Sequence, residues 1–120
     1  MNKHVLVVDD SPTERQIARS RLQKRGYTVT TAIDGEDALL KIAAEHPPLI
    51  VLDIIMPKMN GYQVLRHLKS APETRGIKVI LVSSKNQESD RFWGLKQGAD
   101  DYIAKPYPEE ALLAAVARHF

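Results

Sequence analysis

Short apolar runs recur along the chain, each closing on polar residues and separated from the next by a segment of helical spacing. The run Leu49-Ile50-Val51-Leu52 is too short for a helix, follows Pro47-Pro48 and closes on Asp53, so it reads as a strand buried on both faces of a parallel sheet. His4 to Val8 has the same form and closes on Asp9-Asp10. Tyr27 to Thr31 is rich in β-branched residues and predicts a second strand. Ile77 to Val82 predicts a fourth that runs into Ser83-Ser84-Lys85, and Asp101 to Ala104 a short fifth that stops at Lys105-Pro106.

The intervening segments carry helix signals. Ser11-Pro12-Thr13-Glu14 supplies an N-cap, a proline at the first helical position and a glutamate placed for a capping box, for a helix expected to run to about Arg25 with Gly26 beyond it. Asp34-Gly35 turns the chain into a second helix whose Ala38, Leu39, Ile42 and Ala43 fall on one face. Asn60-Gly61-Tyr62-Gln63 opens a third, with Val64, Leu65 and Leu68 as its apolar side. The fourth, about Gln87 to Gln97, is expected to turn Phe92, Leu95 and the following Ala99 inward. Gly94 in its interior costs about 1 kcal/mol relative to alanine, which makes it the least sturdy helix, and either close packing or designed mobility accounts for that glycine. Pro108-Glu109-Glu110 starts the last helix, with Leu112, Ala115 and Val116 facing in.

Five strands alternating with five helices through short loops predict an α/β fold: a doubly wound, flavodoxin-like parallel sheet of order 2-1-3-4-5 with helices on both faces. One domain over residues 1–120 is expected, with no output domain attached. Seventeen basic against fifteen acidic residues leave a formal charge of +2 and no basic stripe with aromatics, so nucleic acid is not an expected partner. The absence of cysteine excludes disulfides and thiol chemistry. No signal peptide or membrane span is read, and a soluble cytoplasmic protein is the expectation. His4, His46, His67 and His119 show no metal spacing and are expected to be solvated.

In a sheet of this order, ligands bind outside the carboxyl ends of the strands, where the strand order reverses. Asp9, Asp10, Asp53, Ser83 and Lys105 all lie at such ends and should converge. Two carboxylates about 4 Å apart repel by roughly 4 kcal/mol at an effective dielectric near 20, and one lysine cannot neutralise three acids. A hard divalent cation with oxygen ligands resolves the repulsion, and Mg²⁺ is the natural candidate. With the cation beside Asp10 and Asp53, an Asp53 oxygen can attack a phosphoryl donor in line, with Lys105 and the Ser83 hydroxyl on the phosphoryl oxygens, to give an aspartyl phosphate.

Asp9-Asp10, Asp53 followed by Met56-Pro57, Ser83 and Lys105-Pro106 together resemble the receiver domain of two-component response regulators along the whole chain. The resemblance implies phosphorylation of Asp53 by a histidine kinase. It implies Mg²⁺ held by Asp10, Asp53 and the backbone carbonyl of Ile55, with Asp9 acting mainly through a water. It implies a cis peptide between Lys105 and Pro106, and a coupled reorientation of Ser83 and Tyr102 that reports to the surface of the fourth helix, fifth strand and fifth helix, where a downstream protein binds. Asp10-Ser11-Pro12-Thr13-Glu14 and the stretch Gln87 to Gly94 resemble more narrowly the twitching-motility regulators of type IV pili, which points to motility or taxis. Ile55 and Lys85 stand where an acid or amide often steers a hydrolytic water in that family, so a phosphoryl lifetime longer than in fast chemotaxis regulators is expected.

Four other readings compete. An aspartyl-nucleophile phosphatase needs a second acid two residues after the nucleophile, where this chain has Ile55, so the protein is not expected to be an enzyme in its own right. A receiver acting only as a phosphorylation-independent binding module would not need five competent site residues, and an intermediate phosphate carrier in a relay would share the same site. Dinucleotide binding lacks its glycine-rich turn after the first strand.

Overall fold

A computed structural model describes residues 2–120 and gives ten elements in strict alternation. They are β1 (His4–Val8), α1 (Pro12–Lys24), β2 (Thr28–Ala32), α2 (Gly35–Glu45), β3 (Leu49–Asp53), α3 (Gly61–Ser70), β4 (Lys78–Ser83), α4 (Glu88–Lys96), β5 (Asp101–Ala104) and α5 (Glu109–Arg118). All pairings are parallel and the order is β2-β1-β3-β4-β5. The chain reverses direction of travel across the sheet at β1 and β3, which lie side by side with Val8 opposite Leu52. Both carboxyl ends therefore open onto the same rim.

The apolar runs divide between two cores by the period of two along a strand. Val5, Val7, Leu49, Val51, Ile80 and Val82 face α1 and α5, while Leu6, Val8, Ile50, Leu52, Val79 and Leu81 face the side of α2 and α3. Runs apolar at every position are what two covered faces require. Gly61 sits where α3 begins against the end of β3: a Cβ there would lie 2.5 Å from the Asp53 carbonyl oxygen. The glycine thus lets the helix start directly behind the strand end that carries Asp53.

The expected topology is found, and several local expectations are corrected. Tyr27 precedes β2 and stacks on Phe120 with ring centroids 5.4 Å apart. Ala43 is exposed, because the face of α2 toward the core is narrow and taken by Ala38 and Ile42. Phe92 does not point inward; it is 67 % exposed, and Leu95 is also at the surface. The cause is Gly94, the only buried residue of α4: a Cβ on it would come within 2.8 Å of Tyr102 Cδ2 and 3.2 Å of Leu81 Cδ1. Helix and sheet approach so closely that a hydrogen fills the contact, and larger neighbours are turned out. Close packing therefore accounts for that glycine. Among the described residues no helix is long and apolar enough to cross a membrane.

Candidate functional site

Asp9 follows the last residue of β1 and is 7 % exposed, whereas Asp10 faces solvent. The first turn of α1 fixes Asp9 from two sides. The Ser11 N–H donates to its Oδ1 at 2.9 Å, and the Arg15 guanidinium donates to its backbone carbonyl at 2.8 Å. Asp53 closes β3, is 5 % exposed and accepts from the Ile55 N–H at 3.3 Å. Oxygens of Asp9, Asp10 and Asp53 lie within 4.8 Å of one another. Lys105, one residue beyond β5, is held by donation of its N–H to the Ser83 carbonyl at 2.7 Å. Its Nζ reaches Glu14 at 3.0 Å, Asp9 at 3.2 Å and Asp53 at 3.5 Å. The Lys105–Pro106 peptide is cis, as the resemblance implied.

Burial is the main reason that the Asp53 carboxyl is pushed up from 3.8 to about 6; the Lys105 charge opposes it, the Asp9 charge adds to it, and the Ile55 N–H opposes it. Burial also works against the Lys105 ammonium, but the Glu14 hydrogen bond and then the charges of Asp53 and Asp9 outweigh it and hold the lysine above its ordinary range. Asp53 is thus a carboxylate whose single close cation is shared with two other acids. A cavity of about 610 Å³ opens beside it between β1, α1 and the turn after β5, with Ile17, Ile55, Ser84 and Tyr107 among its walls.

Ser83 is fully buried and does not line that cavity; its hydroxyl accepts from the Lys85 N–H at 3.1 Å. Tyr102 is also buried, and its hydroxyl donates to the Lys85 carbonyl at 2.9 Å. Both therefore hold the backbone of one residue in the turn between β4 and α4. Burial raises the Tyr102 phenol, the Ser83 hydroxyl opposing this and the Asp90 charge adding to it.

Sequence reasoning placed the aspartates and Lys105 together but missed Glu14, which it used as a cap. The Ser11 hydroxyl does accept from the Glu14 N–H at 3.3 Å, yet the Glu14 carboxylate turns to Lys105, and the Ser11 N–H goes to Asp9. The available signal was position: the first turn of a helix that follows a strand end lies on the same rim as that end. Two histidines expected in solvent are instead partnered. His4 meets Thr30 at 2.8 Å and Glu45 at 3.2 Å, and His119 meets the buried Asp101 at 3.2 Å. Asp101 further binds Arg118 at 2.6 Å.

The three aspartates offer the donor set of a hard divalent cation: close carboxylate oxygens, one of them exposed to solvent, with a cavity alongside. No other such cluster of acids, histidines or cysteines occurs among the described residues.

The family model described as "Response regulator receiver domain" matches residues 5–117. The chain is 44% identical to Protein PilH of Pseudomonas aeruginosa over 112 residues, covering 93% of each chain. It is 44% identical to Protein PilG of the same organism over 115 residues, covering 96% of this chain and 85% of that one. Among solved structures, the chemotaxis response regulator CheY4 of Vibrio cholerae superposes with a TM-score of 0.92 at 29% identity over the full length of both chains. The signal receiver domain of a histidine kinase from Syntrophus aciditrophicus does so with 0.89 at 35% identity, covering 98% of this chain and 89% of that one.

Proposed function

The chain belongs to the response regulator receiver domain family, and from that premise we propose that Asp53 accepts a phosphoryl group from a histidine kinase and that the modified domain signals through α4, β5 and α5. The observation that carries this reading is the buried Asp53 carboxylate, flanked by two aspartates and 3.5 Å from the Lys105 ammonium at one strand-end rim. With its carboxyl at about 6 before any cation binds, Asp53 is mostly ionised at neutral pH and able to attack. An Asp53 oxygen forms the bond to phosphorus as the bond to the kinase imidazole nitrogen breaks, the electron pair staying on that nitrogen. Lys105 lies on the side where the phosphoryl oxygens arrive and binds them as a point charge. Asp10, Asp53 and the Ile55 carbonyl, with Asp9 beside them, would hold Mg²⁺, and the bound cation would supply charge neutralisation for the transferring oxygens.

The switch reading is supported by the two hydrogen bonds to Lys85. The Ser83 oxygen accepts from the Lys85 N–H while its own hydrogen can be donated to a phosphoryl oxygen, so turning toward that oxygen would pull on the same residue whose carbonyl holds Tyr102. Moving such a surface from 1:99 to 99:1 takes about 5.5 kcal/mol of differential contact, and new bonds to Ser83 and Lys105 are its source. The identity to PilH and PilG and the resemblance to twitching-motility regulators favour a role in motility or taxis. A kinase donor places the protein in the cytoplasm. Ile55, half exposed beside the site, leaves the hydrolytic water without an amide or acid, so the phosphoryl group is long-lived; replacing it with asparagine shortens that lifetime.

The test is incubation with acetyl phosphate and Mg²⁺ followed by intact mass. One stable phosphoryl adduct, lost in Asp53→Ala, is the expected result. Rapid release of free phosphate without an adduct indicates an enzyme instead, and no reaction indicates a phosphorylation-independent binding module.

A further inference from the structure

Lys105 has three N–H donors and three carboxylate neighbours, at 3.0, 3.2 and 3.5 Å, so nothing on the ammonium is left over for an arriving anion. A phosphoryl oxygen entering at Asp53 must displace one of the three. Asp53 is the group being modified, and Asp9 is buried and fixed by the Ser11 N–H. Glu14 is the shortest contact and the one most easily given up, since its side chain is 48 % exposed and can turn to water. Its backbone is held separately by the Ser11 hydroxyl, so the carboxylate can move without unwinding α1.

We infer that Glu14 is a positioning residue that restrains Lys105 in the resting state and thereby slows phosphoryl transfer to Asp53. The inference rests on the phosphoacceptor reading of Asp53. In the resting protein Glu14 takes a share of the lysine charge; during transfer it either releases Lys105 or stands as an additional negative group against the incoming oxygens. Both effects act in one direction. The residue tunes how readily the site accepts a phosphoryl group without touching phosphorus itself, and it lies on the solvent side, where a docking donor can pull it away from Lys105.

The reaction to follow is transfer from acetyl phosphate: an Asp53 oxygen bonds to phosphorus, the bond from phosphorus to the acyl oxygen breaks, and acetate leaves with the electron pair. Its rate is measured by intact mass in Mg²⁺ for the native chain, Glu14→Gln and Glu14→Ala, at ionic strengths from about 0.01 to 1 M. Both variants should react about two- to fivefold faster at low salt, the range open to a partly exposed ion pair. The advantage should shrink toward unity at high salt, which loss of a purely structural contact would not produce. In a Lys105→Gln background, Glu14→Gln should accelerate far less. A native chain that gains no phosphoryl mass, or gains it equally as Asp53→Ala, overturns the phosphoacceptor reading and this inference with it. A native chain that reacts while Glu14→Gln is no faster, keeps its advantage at high salt, or accelerates equally without Lys105 overturns this inference alone.

Discussion

Replacing Asp53 by asparagine should make the metal-free protein more stable, and by an amount that depends on pH in a defined way. The folded carboxyl titrates at about 6 against 3.8 for an unperturbed group, chiefly because the fold buries it. A raised carboxyl favours the folded state while protonated, so its contribution is fully present below pH 3.8 and is lost as pH rises through about 6. The difference between the two values, at about 1.36 kcal/mol per pKa unit, is ~3 kcal/mol of destabilisation above pH 7. Asparagine has nearly the shape of the protonated acid and never ionises. The stability gain of Asp53→Asn should therefore be near zero at pH 3.5, about half its full size at pH 5, and ~3 kcal/mol at pH 7.5. Urea unfolding followed by far-UV circular dichroism in a chelating buffer gives both curves, and subtracting them cancels the titrating groups that do not interact with Asp53. A gain that does not change with pH, or an asparagine variant less stable than the native chain at pH 7.5, would refute the account of Asp53 as a buried, under-compensated charge.

Asp10→Asn should raise metal-free stability slightly, because Asp10 is exposed, and should remove the thermal stabilisation expected of Mg²⁺ in the native chain; a melting series with and without the cation checks both. Gly94→Ala gains about 1 kcal/mol of helix propensity but must displace the Tyr102 ring, and overpacking of this kind costs about 1–3 kcal/mol, so a net loss is expected in denaturant unfolding together with altered Trp93 fluorescence. Asp101→Asn should cost about 2 kcal/mol at neutral pH through its bonds to Arg118 and His119. Burial opposes ionisation of Asp101, but Arg118, the Tyr102 N–H and His119 outweigh it and hold the carboxyl below its usual value. Its contribution is therefore present above the ordinary carboxylate range and lost as pH falls through the lower folded value, so the two unfolding curves should converge in acid.

How much of the structure the sequence discloses differs from residue to residue. The strands were legible because burial on both faces writes itself as an unbroken apolar run, and a polar residue closing such a run marks the rim. That is why Asp9, Asp53 and Lys105, distant in sequence, could be brought together in advance. Glu14 escaped because a capping rule explained it locally, and nothing in local spacing tells whether a first-turn carboxylate bonds its own helix or a lysine 91 residues away. Phe92 was misplaced for a related reason. Apolar character argues for burial only where there is room, and the approach of α4 to Tyr102 is a property of the assembled fold. Ser83 was placed at the correct strand end, but which neighbour its hydroxyl chooses depends on the turn that follows. Asp101 looked like an ordinary strand opening, since its partners Arg118 and His119 belong to the far end of the chain.

The seat of α4 on the sheet has a mechanical corollary. At Gly94 the clearance is one hydrogen atom, and the surface it rests on is the aromatic ring of Tyr102. The ring cannot swing toward the helix while the helix stays down, and the helix cannot settle further while the ring is tucked in. Ring and helix therefore constrain each other, and neither can shift toward the other alone. On the switch reading proposed above, releasing Tyr102 from the Lys85 carbonyl would press on the seat of α4 and carry the exposed Phe92 and Trp93 with it, so that a change of a few atoms at a strand end would become a change of shape on the outside.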